Sequence, residues 1–133
     1  MTSQLVRLQS KDTDLILRTE PAEILYFGKR LDLDEITEAD VMTIARGVSN
    51  GSLDVDTPIT LAAENGRGYF GVPGVEGHRN GYNWAPVFTT KNVTKTDRTL
   101  VLEMEDHIAK LAFKAEIETD ENGVFKFRNT LTN

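Results

Sequence analysis

Histidine, arginine, asparagine and aromatic side chains are concentrated in one glycine-rich segment, residues 65–86, with the sequence NGRGYFGVPGVEGHRNGYNWAP. Flat aromatic faces can cover the C–H groups of a sugar ring, and the polar side chains between them can donate hydrogen bonds to hydroxyl groups. Six of the ten glycines lie here, a density that indicates unusual backbone angles or close approach of another surface. The candidates for contact with a substrate or a neighbouring subunit are Arg67, Tyr69, His78, Arg79, Asn83 and Trp84.

The same segment has a purely structural interpretation, in which it is a long connection that closes one end of a fold. Large aromatic side chains dominate burial in small domains. We therefore expect Trp84 to be buried rather than in contact with a ligand.

A self-sufficient catalytic centre is not evident in the sequence. Glycosidases need two carboxylates across one cleft, whereas Glu103 and Glu105 alternate with apolar residues as on a solvated sheet face. His78 and His107 lie far apart in the chain, unlike the clustered ligands of a zinc site. Nucleotide-binding fingerprints are missing as well. The sequence predicts no catalytic residue, no metal and no cofactor.

Composition restricts the class of protein further. The 133 residues carry a net charge of −6 without a basic cluster, so we expect no nucleic-acid partner. No apolar run is long enough for a membrane span. The chain has no cysteine and no visible secretory signal, which favours a cytoplasmic location.

Alternation of apolar and polar residues predicts a mainly β protein. Three strands are expected in the first part of the chain, over Leu5–Gln9, Thr13–Thr19 and Ala22–Phe27, and three in the last part, over 100–105, 109–118 and 125–131. Between them, Thr37 and Asp40 resemble a capping box, which predicts a helix with Val41, Ile44, Ala45 and Val48 on one face and a stop at Asn50-Gly51. The predicted fold is an antiparallel β-sandwich with one short helix and a long glycine-rich loop.

The pairing of the last three strands can also be predicted, because a slip of one residue would turn every side chain to the wrong face. A two-residue turn at Asp106-His107 pairs Met104 with Ala109. A three-residue loop, 121–123, pairs Thr119 with Phe125 and gives Gly123 the left-handed conformation that such loops need.

Several segments resemble the N-terminal β-supersandwich domain of family-36 glycoside hydrolases, the α-galactosidases and their relatives. The matching segments are the opening LVRLQS, the stretch ILYFGKRL at Ile24–Leu31, the glycine-rich stretch Glu64–Ala85, and the alternating strands that end in NTLTN at Asn133. The helical region Asp34–Gly51 departs from the pattern. The resemblance covers most of the chain.

The resemblance implies that residues 1–133 are an incomplete N-terminal sandwich, cut before a catalytic barrel that carries the reacting aspartates. It implies a full-length enzyme that hydrolyses terminal α-galactosides of oligosaccharides with retention. The implied partners are the downstream barrel and neighbouring subunits, to which this domain contributes assembly contacts and walls of the active site. Missing strands would leave an unpaired edge at Phe125–Thr132. An independent sugar-binding sandwich module and a scaffold for self-association are the alternatives.

Overall fold

A computed structural model describes residues 4–44, 57–58 and 60–133. Within these ranges the elements are β1 (Leu5–Ser10), β2 (Thr13–Thr19), β3 (Ala22–Lys29), α1 (Glu38–Ile44), β4 (Thr89–Lys95), β5 (Thr99–Asp106), β6 (Leu111–Thr119) and β7 (Phe125–Thr132). They form two antiparallel sheets, with strand orders β1-β2-β3 and β4-β5-β6-β7. The predicted sandwich-like, mainly β fold is confirmed.

The core lies between the two sheets and takes the alternate residues of their strands. Leu8 and Leu15 of the small sheet are fully buried, as are Leu100 and Leu102 of the large sheet. Burying such a side chain stabilises a fold by about 1.5–3 kcal/mol. Phe88, just before β4, is also buried, and its ring centre lies 5.2 Å from that of Phe113 in β6.

The predicted turn between β5 and β6 is wrong. Met104 pairs with Phe113 and Asp106 with Leu111, so the turn has four residues, 107–110, instead of two. Both registers place the same alternating side chains on the core face, and apolar patterning therefore cannot distinguish them. The longer turn is favoured by the Asp106 side chain, whose Oδ1 accepts the N–H groups of Ile108 and Ala109 at 2.8 and 3.1 Å.

The predicted hairpin between β6 and β7 is confirmed. Thr119 pairs with Phe125, and the Asp120 N–H donates to the Val124 carbonyl at 3.1 Å, which leaves a loop of three residues, 121–123. Gly123 has a φ of +90°, the left-handed conformation that a side chain would strain. The Asp120 side chain supports the loop by accepting the N–H groups of Asn122 and Val124 at 2.8 and 3.0 Å.

The sequence analysis missed one strand, β4, and correctly identified the edge at β7. The sequence of β4, TTKNVTK, is mostly polar and exposed, and its pairing with β5 is interrupted between Thr90 and Asn92. An edge strand that is bulged and exposed lacks the apolar alternation by which strands are recognised. At the other edge of this sheet, β7 pairs only with β6 among the described strands.

The predicted capping box begins α1. The Thr37 N–H donates to Asp40 Oδ2 at 2.8 Å, and the Asp40 N–H donates to Thr37 Oγ1 at 3.3 Å. The pKa of Asp40 is lowered by the hydrogen bonds that its Oδ2 accepts from the Thr37 hydroxyl, at 2.7 Å, and from the Thr37 N–H. Val41 is buried as predicted; Ala45, Val48 and the Asn50-Gly51 stop lie outside the described residues. No helix in the described ranges is long and apolar enough to cross a membrane.

A buried ion pair joins β1 to β2 in the small sheet. Arg7 Nη2 lies 2.5 Å from Asp14 Oδ2, and the Asp14 side chain is fully buried. Burial alone would raise the pKa of Asp14, but hydrogen bonds from Arg7 and from the Leu31 N–H hold it below its ordinary value. The pair also ties the chain that follows β3 to the sheet, because Arg7 donates to the Leu31 carbonyl at 2.7 Å.

Candidate functional site: the glycine-rich loop

The glycine-rich loop, residues 64–88, starts and ends in a buried cluster around Arg67. Arg67 Nη2 donates to Glu20 Oε1 at 3.1 Å and to the Phe88 carbonyl at 2.7 Å, while Nε donates to Glu64 Oε2 at 3.2 Å. Glu64 Oε1 accepts the Phe88 N–H at 2.5 Å, and Glu20 Oε2 accepts the Thr90 N–H at 2.7 Å. The cluster therefore fastens both ends of the loop to the turn between β2 and β3.

The hydrogen bonds of this cluster limit the roles that Arg67 and its partners can have. The Arg67 guanidinium donates to Glu20, Glu64 and the Phe88 carbonyl, and its side chain is only 20% exposed. Glu20 and Glu64 accept hydrogen bonds from the same arginine, and Glu64 is buried. Carboxylates that are held by these hydrogen bonds have a structural role and are not free to act as a general acid and a general base.

The first half of the loop folds back on the chain before it and then projects outward. The Gly74 N–H donates to the Ala62 carbonyl at 3.0 Å, and a Cβ on Gly74 would lie 2.2 Å from that oxygen, so this contact requires glycine. Between the two fixed points, Tyr69 is 37% exposed and Phe70 is fully exposed. Phe70 therefore lies at the tip of a short apolar projection.

The second half of the loop contains a tight hairpin at Arg79–Tyr82. The two residues exchange backbone hydrogen bonds of 2.8 and 2.9 Å, and Asn80 and Gly81 have φ angles of 52° and 84°. Positive φ at both central residues is characteristic of a type I′ turn, for which Asn-Gly is the preferred pair. The Gly81 N–H also donates to His78 Nδ1 at 3.0 Å, so the position of the imidazole is coupled to the turn.

Arg79 fixes this hairpin to the large sheet. Its Nε donates to the Ala109 carbonyl at 2.7 Å, and its Nη2 donates to the Lys110 carbonyl at 3.3 Å and to the Asn133 side-chain oxygen. The hairpin is thus hydrogen-bonded to the four-residue turn between β5 and β6. Like Arg67, Arg79 acts within the chain as an anchor of the loop.

Asp106, which the sequence analysis did not select, forms the third anchor. It is buried at the end of β5, and its Oδ2 accepts the Val87 N–H at 2.9 Å. Burial alone would raise the pKa of Asp106, but the N–H donors of Val87, Ala109 and Ile108 lower it. Asp-x-x after a strand is a common turn signal, but only the fold shows that the same carboxylate reaches the loop.

Two concave surfaces lie beside the anchored loop. A pocket of about 220 Å³ is lined by His78, Arg79 and Asn83, together with Leu131 and Asn133 of the C-terminal strand region. A larger groove of about 460 Å³ lies between Trp84 and the turn after β5. Asn83 lines both.

The structure therefore brings four of the six predicted residues together, namely His78, Arg79, Asn83 and Trp84. Arg67 and Tyr69 line neither concavity. The expectation that Trp84 is buried is wrong, because its side chain is 64% exposed. The core that it was expected to fill is instead completed by Phe88 and Ala62 at the two ends of the loop.

Sequence reasoning also missed His107 and Ile108, which line the groove opposite Trp84. Their turn had been predicted two residues shorter, so nothing in the sequence placed them beside the loop. Within the described ranges, no three His, Asp or Glu side chains are grouped so that they could hold a metal ion. The arrangement offers a surface for contact with another molecule.

Comparison with known proteins identifies the family to which the chain belongs. Residues 20–133 match the family described as the glycosyl hydrolase family 36 N-terminal domain, and the chain belongs to that family. It is 45% identical over 134 residues to an alpha-galactosidase of Escherichia coli, an alignment that covers all of this chain and 19% of that protein. The chain thus spans about a fifth of the length of this relative. No solved structure matches it.

Proposed function

We propose that the chain is the non-catalytic N-terminal domain of an α-galactosidase-like glycoside hydrolase. In this proposal a catalytic barrel downstream of residue 133 hydrolyses terminal α-galactosides with retention of configuration. The family match and the alpha-galactosidase relative support it. The observation that carries the non-catalytic role is the use of the charged groups of Arg67, Arg79 and Asp106 as internal anchors of the loop.

The proposed role is to supply assembly contacts and a wall of the active site. Phe70 is fully exposed, and Tyr82 and Trp84 are 73% and 64% exposed. Rigid aromatic side chains of this kind dominate the free energy of protein interfaces. We infer that the loop contacts the barrel of its own or a neighbouring subunit, close to the galactoside. Oligomer formation and a cytoplasmic location remain parts of this proposal.

The open edge of the large sheet supports the proposal that 1–133 is part of a longer sandwich. Phe127 and Leu131 alternate with polar residues on β7, yet they are 46% and 48% exposed. Apolar side chains on one face of an edge strand normally pack under further strands. We expect residues after 133 in the full-length protein to cover them.

The test compares the 133-residue chain with the full-length enzyme. With a chromogenic α-galactoside, the full-length protein should be active and the chain alone inactive. In the full-length protein, Phe70→Ala should change the KM or the oligomer size, whereas Val124→Ala, a change at a half-exposed residue of the β6–β7 loop, should leave both unaltered. Hydrolysis by the chain alone would refute the non-catalytic role, and identical behaviour of the two variants would refute the contact role of the loop.

A further inference from the structure

We propose that the groove between Trp84 and the β5–β6 turn, here called the Trp84 groove, is a non-catalytic binding site for one neutral pyranose ring. The inference rests on the proposed function for the choice of sugar, but the site itself is inferred from its own residues. The groove is lined by Asn83, Trp84, Ala85, His107, Ile108 and Ala109, among others.

The size and the apolar surface of the groove suit a sugar ring. Its volume of about 460 Å³ lies within the usual range of about 300–1,000 Å³ for small-ligand sites. The neighbouring pocket, at about 220 Å³, lies below that range. Trp84 and Ile108 are 64% and 65% exposed, so they offer a flat indole face and an aliphatic side chain to the C–H groups of a ligand.

The polar groups of the groove suit hydroxyls better than charges. The Asn83 amide and the His107 imidazole form no hydrogen bond with other described residues, and both are exposed, so each can donate to and accept from a polyol. The nearest carboxylate, Asp106, already accepts backbone N–H groups with both of its oxygens. The carboxylate that lines the groove is therefore not free to pair with a cationic ligand.

The two walls are held in fixed positions before a ligand arrives. Trp84 lies in the chain between Arg79, which donates to the Ala109 carbonyl, and Val87, whose N–H donates to Asp106. Both bonds connect the loop to the turn that carries His107 and Ile108. Because the walls are already ordered, binding would incur little further loss of conformational entropy. This preorganisation distinguishes the groove from the exposed projection at Phe70.

Trp84 gives a direct test, because it is the only tryptophan of the chain. Its fluorescence can be excited selectively at the red edge of the protein's absorption spectrum. When galactose, melibiose or raffinose is added to the 133-residue chain, the emission maximum should shift saturably, and acrylamide should quench the emission less. We expect half-saturation at about 1 mM, the affinity of a weak single-ring site. Glycerol at equal osmolality should give no saturable change.

Variants separate the groove from the rest of the loop. His107→Ala should weaken binding about tenfold, the effect of one lost hydrogen bond, while Val124→Ala, at a half-exposed residue outside the groove, should leave it unchanged. Far-UV circular dichroism and cooperative unfolding establish that both variants fold. Three results would overturn the inference. The first is the absence of a saturable signal with any of the three sugars, and the second is an equal effect of the two variants on binding. The third is a Trp84 fluorescence change that depends on protein concentration instead of sugar concentration. The last result would indicate that a second copy covers the groove. The proposed enzyme domain would survive each of these results, because it is tested by activity of the full-length protein.

Discussion

Replacing Arg67 by methionine would remove the cation that joins both ends of the glycine-rich loop. The change deletes the hydrogen bonds to Glu20, Glu64 and the Phe88 carbonyl while keeping an unbranched side chain about as long as the apolar stem of arginine. Glu64, whose side chain is only 3% exposed, would lose its cationic partner.

The magnitude follows from the burial of each partner. Breaking a buried ion pair by removing one partner costs about 3–5 kcal/mol, but the side chains of Arg67 and Glu20 are 20% and 24% exposed. Water can therefore replace part of the lost interaction with Glu20. We expect the free energy of unfolding to fall by about 2–3 kcal/mol. Most of this loss arises because the buried Glu64 carboxylate no longer has a cationic partner.

Urea denaturation of the 133-residue chain, followed by far-UV circular dichroism and extrapolated linearly to water, measures this change. Arg98→Met is the matched control, because Arg98 is exposed and surface substitutions of this kind change stability by less than about 0.5 kcal/mol. Adding Glu64→Gln to Arg67→Met should restore at least about 1 kcal/mol, since it removes the buried carboxylate that has no cationic partner. Equal effects of Arg67→Met and Arg98→Met, or no restoration in the double variant, would refute the account of the cluster as the anchor of the loop.

Three further predictions concern the rest of the domain. Because the pKa values of Asp14 and Asp106 are lowered in the folded chain, both carboxylates stabilise the fold above the unfolded-state pKa of about 4. That contribution should be lost as the pH falls through the folded-state values. Urea titrations at a series of acid pH values should show the loss, and the slope should be smaller in Asp106→Asn; an unchanged slope would contradict the assignment. Gly123→Ala should cost about 1 kcal/mol, because alanine is strained at a φ of +90°, and a neutral result in the same denaturation assay would argue against the three-residue loop. Light scattering over a dilution series should show self-association of the chain through β7 that Leu131→Lys reduces, whereas a monomer at every concentration would contradict the open edge.

Local patterns were sufficient to predict those parts of the fold that depend on neighbouring residues. The strand around Leu100 alternates clearly, Thr37 and Asp40 define the start of a helix, and the position of Gly123 follows from the length of its loop. Each of these features is decided within about ten residues of the chain. They were predicted correctly because no distant contact competes with the local preference.

Two of the features that the sequence analysis missed, the length of the β5–β6 turn and the exposure of Trp84, depend on contacts between separate segments. The β5–β6 turn has four residues, and the carboxylate of Asp106 that favours it also accepts the Val87 N–H, 19 positions away in the chain. Trp84 is exposed because Phe88, four residues later, occupies the core beside Phe113. Residue type alone could not show which of two neighbouring aromatic residues would be buried.

The loop divides its residues into anchors and displayed groups, and this division predicts how variants should behave. A segment with six glycines has little intrinsic preference for one conformation, and ordering each residue costs about 1–2 kcal/mol of backbone entropy. The charged side chains of Arg67, Arg79 and Asp106 help to offset that cost through hydrogen bonds to backbone and side-chain groups at both ends and at the hairpin. Phe70 and Trp84 are largely exposed, so they contribute little to the stability of the isolated domain. Changes at the anchors should therefore lower the free energy of unfolding first and function only as a consequence. Changes at the displayed aromatic residues should do the reverse, altering assembly, KM or sugar binding in a domain of unchanged stability.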